Sequence, residues 1–199
     1  AGILPVCWAI LLGILLCALL LPEAHAGPSA RAVPPIADIL RQPKVRALFV
    51  ACFAMSAAHG AFYVFYSIHL AGNGYGTTAV GLLWSLGVVA EIAVFIGMAR
   101  LNRRFSLRAI LLASFAAAVL RFAIMGWCVD SLTMMVLGQL LHGLTFGAFH
   151  ASAIAAVGQL FPGRVQGRGQ ALYSSISFGA GGLLGALVSG WTWDDWGAG

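Results

Sequence analysis

Residues 78–99 read TAVGLLWSLGVVAEIAVFIGMA. The stretch has no proline, no two-residue alternation and a single ionisable side chain, Glu91. A helix that crosses the hydrocarbon core of a bilayer needs about 20 mostly apolar residues. This stretch has that length, and its neighbours repeat the pattern. Comparable runs cover roughly 3–21, 47–70, 108–128, 132–160 and 171–192. The punctuation between them fits. Pro22, Pro28, Pro34, Pro35 and Pro43 fill the first connection, Gly72, Gly74 and Gly76 mark a tight turn, and Pro162 with Gly163 closes the fifth run. The expected fold is therefore all-α, a polytopic transmembrane bundle with six spans. The lack of period-two alternation argues against a membrane β-barrel.

Composition agrees. Of 199 residues 61% are hydrophobic and 9% charged, against about 25% charged in soluble domains. The net charge of +5 does not point to nucleic acid, because the cations form short clusters between apolar runs and make no basic face. Arg31, Arg41, Lys44 and Arg46 lie in or beside the first connection. Arg100, Arg103, Arg104 and Arg108 surround the third, and Arg164 and Arg168 lie in the fifth. Ten of the eleven cations thus fall on alternate connections. Lys and Arg concentrate in cytoplasmic loops, so connections one, three and five are expected in the cytoplasm, with Ala1 outside.

The expected organisation is a span over 1–21, a cytoplasmic connector over 22–46 and a membrane unit over 47–199. Within the connector, residues 36–40 read IADIL, and a short surface helix is expected there. Residues 3–21 followed by Ala24-His25-Ala26 resemble a secretory signal. Cleavage there would leave Arg31 through Arg46 outside, against the charge rule. Ala1 in place of Met, and the tail Trp191-Thr192-Trp193-Asp194-Asp195-Trp196, read as the ends of a piece of a longer protein. Cys7, Cys17, Cys52 and Cys128 lie in or beside apolar runs without the regular spacing of a disulfide framework or zinc site. They read as plain thiols.

The polar residues inside the spans carry the chemistry. A charge at the bilayer centre costs about 2.5–3.5 kcal/mol on insertion scales, so such residues face a cavity or a partner. A carboxylic acid taken out of water resists ionisation. Glu91 is therefore a candidate proton or substrate site, with a structural partner for a cation as the plainer reading. Trp84, Gly87, Val88 and Glu91 share a helical face. Arg121 lies 13 residues from Arg108, about 20 Å along a helix at 1.5 Å per residue. It keeps its charge and needs an anion, either Glu91 or an acidic substrate; a fixed ion pair or outward snorkelling are the plainer readings.

His142 and His150 are eight residues apart, so in an α-helix they point about 80° apart and sit about 12 Å along the axis. That is not the close spacing of a one-face metal pair. His142 is central and a candidate for proton coupling or substrate binding. His150 lies nearer the cytoplasmic end. His59, Tyr63 and Tyr66 follow i, i+4, i+7 spacing and present one face suited to an organic substrate with a ring, or to helix packing. Gln139 is a weaker candidate. Two stripes of small residues, Ser177-Gly181-Gly185-Ser189 and Gly143-Gly147-Ala151-Ala155, read as close helix contacts. Trp127, Trp191, Trp193 and Trp196 read as an interfacial belt.

With these motifs assembled, residues 36–192 resemble the second half of the phenylpropionate-permease-like branch of the major facilitator superfamily, related more distantly to lactose permease. The resemblance rests on Ala58-His59 with Tyr63, the run Leu83 through Glu91, Arg121 with Met125-Gly126, and Leu141-His142 with Thr145-Phe146 and His150; Gln170-Ala171-Leu172-Tyr173-Ser174 adds weaker support. It implies six of twelve helices, numbers six to eleven among them, with the first half of the chain elsewhere. It also implies a bacterial cytoplasmic-membrane protein that carries a small organic solute with a proton, without cofactor or metal. Aromatic monocarboxylates are the first expectation, sugars and nucleosides the alternatives. Lactose permease carries an acid, an arginine and a histidine on helices eight, nine and ten, where Glu91, Arg121 and His142 stand here. Its acid three residues after the histidine is Thr145 here, which shifts the proton to Glu91. The loop 97–104, GMARLNRR, resembles the superfamily's basic motif without its aspartate. An integral-membrane enzyme would need a clustered catalytic motif, which the sequence lacks. A non-transporting relative or an inactive fragment is the remaining alternative.

Overall fold

The computed structural model describes residues 11–14, 19 and 35–196, with side chains described as far as Trp193. The chain divides into two units, Ala1–Ala32 and Val33–Gly199. In the first, 11–14 and 19 are helical. Most of the span expected over 3–21, with Cys7 and Cys17, lies outside the described residues.

The second unit is helical throughout its described length. A short helix α1 (Ile36–Arg41) precedes α2 (Pro43–Gly72), α3 (Thr77–Arg104) and α4 (Leu107–Trp127). The next crossing is composite: α5 (Leu132–His142), a π-helical segment π1 (Gly143–Ala148) and α6 (Phe149–Leu160). So is the last, where a 3-10 turn at Gly163–Val165 leads into α7 (Gln166–Ser174), π2 (Ser175–Gly181) and α8 (Gly182–Trp196). Five of these stretches are long and apolar enough to cross a membrane. They match the five later runs read from the sequence, within a few residues at most ends.

Local chemistry sets the boundaries. Pro43 opens α2, where its missing N–H costs nothing. Ser106 caps α4 by accepting from the Ala109 amide at 3.2 Å, and Ser131 caps α5 by accepting from the Met134 amide at 3.4 Å. Gly74 has φ +85° in the turn between α2 and α3, a conformation that side chains rarely adopt. Tyr75 in that turn donates its hydroxyl to the Val129 carbonyl at 2.7 Å, tying it to the α4–α5 turn. Helix α1 is more than a surface feature, because Ile39 is fully buried in a cluster with Val45, Phe49, Phe161 and Tyr173.

The small stripes make the interhelical contacts. A Cβ on Gly185 would collide with the Ala57 carbonyl, and one on Gly60 with the Gly182 carbonyl. Helix α2 therefore packs backbone to backbone on α8, as small residues allow where lipid offers no competing solvent. On the other side, a Cβ on Gly143 would lie 2.7 Å from the Ala90 carbonyl, and one on Gly147 3.3 Å from Cγ of Glu91. That contact seats π1 against the middle of α3. Outward-facing apolar side chains cover the bundle, as hydrocarbon requires. Trp127 and Trp191 are 78% and 86% exposed. Trp193 is not free in the same way: it stacks on Phe65 at 4.4 Å.

Candidate functional site

Helix α4 carries Arg121 into the interior, where it is fully buried. A guanidinium has five N–H groups. Its Nε donates to the Gly138 carbonyl at 3.0 Å, and Nη1 reaches His59 Nε2 at 3.3 Å and Thr145 Oγ1 at 3.4 Å. Nη2 has no partner. The ring of Phe62 lies under the guanidinium, 4.2 Å from centroid to Cζ, with Phe122 at 5.3 Å. Outward snorkelling does not occur, and neither does the expected pairing with Glu91. Every partner of Arg121 is neutral: its side chain reaches α2, α5 and π1, while Glu91 lies on α3 where Gly147 of π1 packs.

Glu91 instead neighbours His142, with 3.8 Å between its carboxylate and Nε2. That is ion-pair range and too long for a hydrogen bond. The Glu91 side chain keeps 20% of its exposure, whereas His142 is buried. His142 Nδ1 has no partner.

Phe62 is the hub of the aromatic surroundings. Its centroid lies 4.6 Å from Tyr66, 5.1 Å from Trp84, 5.6 Å from Tyr63 and 6.2 Å from His142. Tyr63 stacks on Trp84 at 5.9 Å with the planes 18° apart, and it is 46% exposed. Trp84 is anchored by donating Nε1 to Ser67 Oγ at 3.0 Å. Tyr66 is buried, and its hydroxyl, like Nε2 of buried Gln139, is without a partner.

The expectation that His142 and His150 diverge by about 80° assumes a straight α-helix. The π1 segment lies between them, and its wider i→i+5 turn changes the register. Both rings stack on Phe146, at 5.5 Å and 5.8 Å with planes 24° and 20° apart. His150 also meets the Tyr173 hydroxyl at 3.1 Å, which ties it to α7 and away from Arg121.

His59, Tyr63, Tyr66, Trp84, Arg121 and His142 are thus gathered around one ring, with Glu91 beside His142, while Gln139 lies with His142 against Gly87 of α3. Phe62, Phe122, Phe146 and Thr145 complete the cluster. Phe62 was legible as the i+3 neighbour of His59 on the α2 face. Phe146 stands beside Thr145 in the motif that carries the resemblance, which gives it no role, and Phe122 carries no distinguishing signal in so apolar a chain. Two cavities adjoin the cluster. One of about 90 Å³ is lined by Ser56, His59, Tyr63, Phe146 and Phe178 among others, and one of about 250 Å³ by Phe62, Tyr66, His69, Phe122 and Trp193 among others. Among the described residues no group of three His, Cys, Asp or Glu side chains could hold a metal ion.

Residues 1–199 match the MFS_1 like family. The chain is 39% identical over 132 residues, 66% of its length and 34% of the relative's, to the protein of Escherichia coli (strain K12) described as "Probable 3-phenylpropionic acid transporter". It is 29% identical over 161 residues, 76% of its length and 36% of the relative's, to "Putative nucleoside transporter YegT" of the same organism. The chain spans about a third of the length of these curated relatives. No solved structure matches it significantly. The whole-length family match, the described helices and the apolar exterior agree: the chain belongs to the MFS_1 like family of major facilitator transporters and is an integral, multi-pass membrane protein.

Proposed function

We propose that the protein is a proton-coupled symporter of a small organic acid, with aromatic monocarboxylates as the first substrate class. The observation that carries this reading is a buried guanidinium with no anion. Arg121 Nη2, Gln139 Nε2 and the Tyr66 hydroxyl are buried and unpartnered, and all three can donate. Buried polar groups are normally hydrogen-bonded, and an ionised carboxylate both accepts from such donors and carries the charge that Arg121 lacks a partner for. The ring of the substrate would lie along Tyr63 and Trp84. Glu91 would carry the proton, and His142, 3.8 Å away, would tune its release or contact substrate, with His59 at the Arg121 side. In this conformation Arg121 is covered, so a substrate reaches Nη2 only after Phe62 and its neighbours shift.

On this reading 1–21 is helix six of twelve, 22–46 the cytoplasmic connector and 47–199 the second half, working against a first half in the bacterial cytoplasmic membrane. Transporter sites lie near the midplane between such halves. The 39% match to a phenylpropionic acid transporter supports an acid, whereas the 29% match to a nucleoside transporter supports the second reading, a nucleoside symporter on the same fold.

The test is uptake of labelled 3-phenylpropionate by the full-length protein in proteoliposomes under an imposed pH gradient, with uridine as competitor. Gradient-driven uptake that resists uridine is expected. Uptake indifferent to the gradient overturns the coupling, and uptake of labelled uridine in a parallel assay with none of the acid selects the nucleoside reading.

A further inference from the structure

We propose that His59 is a positioning residue, a neutral acceptor that holds Nη1 of Arg121 and so leaves Nη2 as the free anion-binding donor. The inference rests on the reading of Arg121 as the carboxylate anchor and goes beyond it, because it removes His59 from the set of substrate contacts and gives it a separate task.

The argument starts with donors and acceptors. His59 Nδ1 lies 2.9 Å from the Met55 carbonyl, one turn back on α2. A carbonyl can only accept, so Nδ1 carries the hydrogen. Nε2 lies 3.3 Å from Arg121 Nη1. A guanidinium can only donate, so Nε2 presents its lone pair. The two neighbours therefore specify one tautomer of a neutral ring, and a second proton on Nε2 would set two cations against each other. The ring is buried, with Phe122 edge-on at 5.4 Å and Phe146 at 6.0 Å.

The guanidinium is partitioned accordingly. Thr145 Oγ1 donates to the His142 carbonyl at 3.4 Å and offers a lone pair to Nη1 at 3.4 Å. Gly138 takes the Nε hydrogen at 3.0 Å. Three of the five N–H groups are thereby committed to neutral acceptors on α2, α5 and π1. The two that remain are both on Nη2. An acidic residue in place of His59 would neutralise the arginine and compete with a substrate carboxylate. A neutral acceptor fixes the orientation of the fork and leaves its charge available. The backbone bond to Met55 means that a shift of α2 moves the acceptor and, with it, the fork.

The experiment compares His59→Phe with His59→Gln in the full-length protein, reading KM and maximal rate for 3-phenylpropionate and inhibition by the neutral 3-phenylpropionamide. Phe keeps a flat ring and removes the acceptor, whereas Gln carries an acceptor oxygen close to the Nε2 position. Expected for His59→Phe is a rise of about tenfold in KM for the acid, the scale of one charge-assisted contact. The maximal rate should be nearly kept and amide inhibition unchanged, with His59→Gln restoring most of the acid affinity. Equal weakening of acid and amide, or no rescue by Gln, overturns the role. If His59→Phe fails to reach the membrane, 15N NMR of histidine-labelled wild type, with His59→Gln to assign the signal, decides. A neutral Nδ1-protonated His59 supports the proposal, and an imidazolium or the other tautomer overturns it. A wild type that takes acid and amide alike overturns the reading of Arg121 itself and the task of His59 with it.

Discussion

The Glu91 carboxylate lies 3.8 Å from Nε2 of His142, and Arg121, the other charge deep in the described spans, contacts only neutral groups. The two charges therefore belong to separate networks. One is a carboxylate with an imidazole at the edge of the cluster; the other is a guanidinium enclosed by rings.

That separation predicts how Arg121→Met behaves. Breaking a buried ion pair strands the partner charge and costs about 3–5 kcal/mol. No partner charge is stranded here. Thermal unfolding of the purified full-length protein in detergent should shift by a few degrees at most while 3-phenylpropionate uptake is lost. A large fall in Tm would reveal an anionic partner.

Arg121→Lys is expected to fail as well. A lysine has no fork and cannot serve Gly138, His59 and Thr145 while leaving a free donor. KM for the acid should rise at least tenfold, a loss of about 1.4 kcal/mol, in an uptake titration.

Glu91→Gln should abolish the response of uptake to a pH gradient while exchange of internal for external substrate continues, since the amide fills the same space beside Gly147 without titrating. Counterflow assays measure this directly. A variant that still concentrates substrate on a proton gradient would move the proton carrier elsewhere.

The α2–α8 contact gives a stability prediction. Gly185→Ala drives a methyl group into the Ala57 carbonyl, and such overpacking costs about 1–3 kcal/mol. Gly190→Ala, one and a half turns further along α8, meets nothing within 4 Å and should be neutral or slightly stabilising. Detergent melting curves of the two variants should separate clearly.

Topology can be read from Cys128, which is exposed in the α4–α5 turn. In a variant retaining only this cysteine, a membrane-impermeant maleimide should label intact cells from outside. Labelling only after lysis would invert the orientation inferred from the basic connections.

Much of the architecture was legible in the chain, and the reason is solvation. Backbone polar groups cannot go unpaired in hydrocarbon, so each long apolar run had to be a helix. The clustering of Arg and Lys on alternate connections sets the expected direction of each crossing, which the labelling of Cys128 checks. The glycine stripes announced where helices touch, because only residues without bulk permit contact between backbones. The same logic marked Glu91, Arg121 and His142 as exceptions that the bilayer tolerates only for a reason.

Pairing among those exceptions was decided by tertiary structure. Helical spacing says which face a side chain occupies but not how far the next helix is rotated, so Glu91 and Arg121 looked like partners and are not. The π segment at Gly143–Ala148 has no composition that distinguishes it from α-helix, yet its wider turn aligns His142, Phe146 and His150 in one stack. The choice of His59 and Thr145 as the acceptors for Arg121 likewise depends on distances across α2, α4 and the α5–π1 crossing. A linear pattern does not contain those distances, because they follow from how closely the glycines let the helices approach.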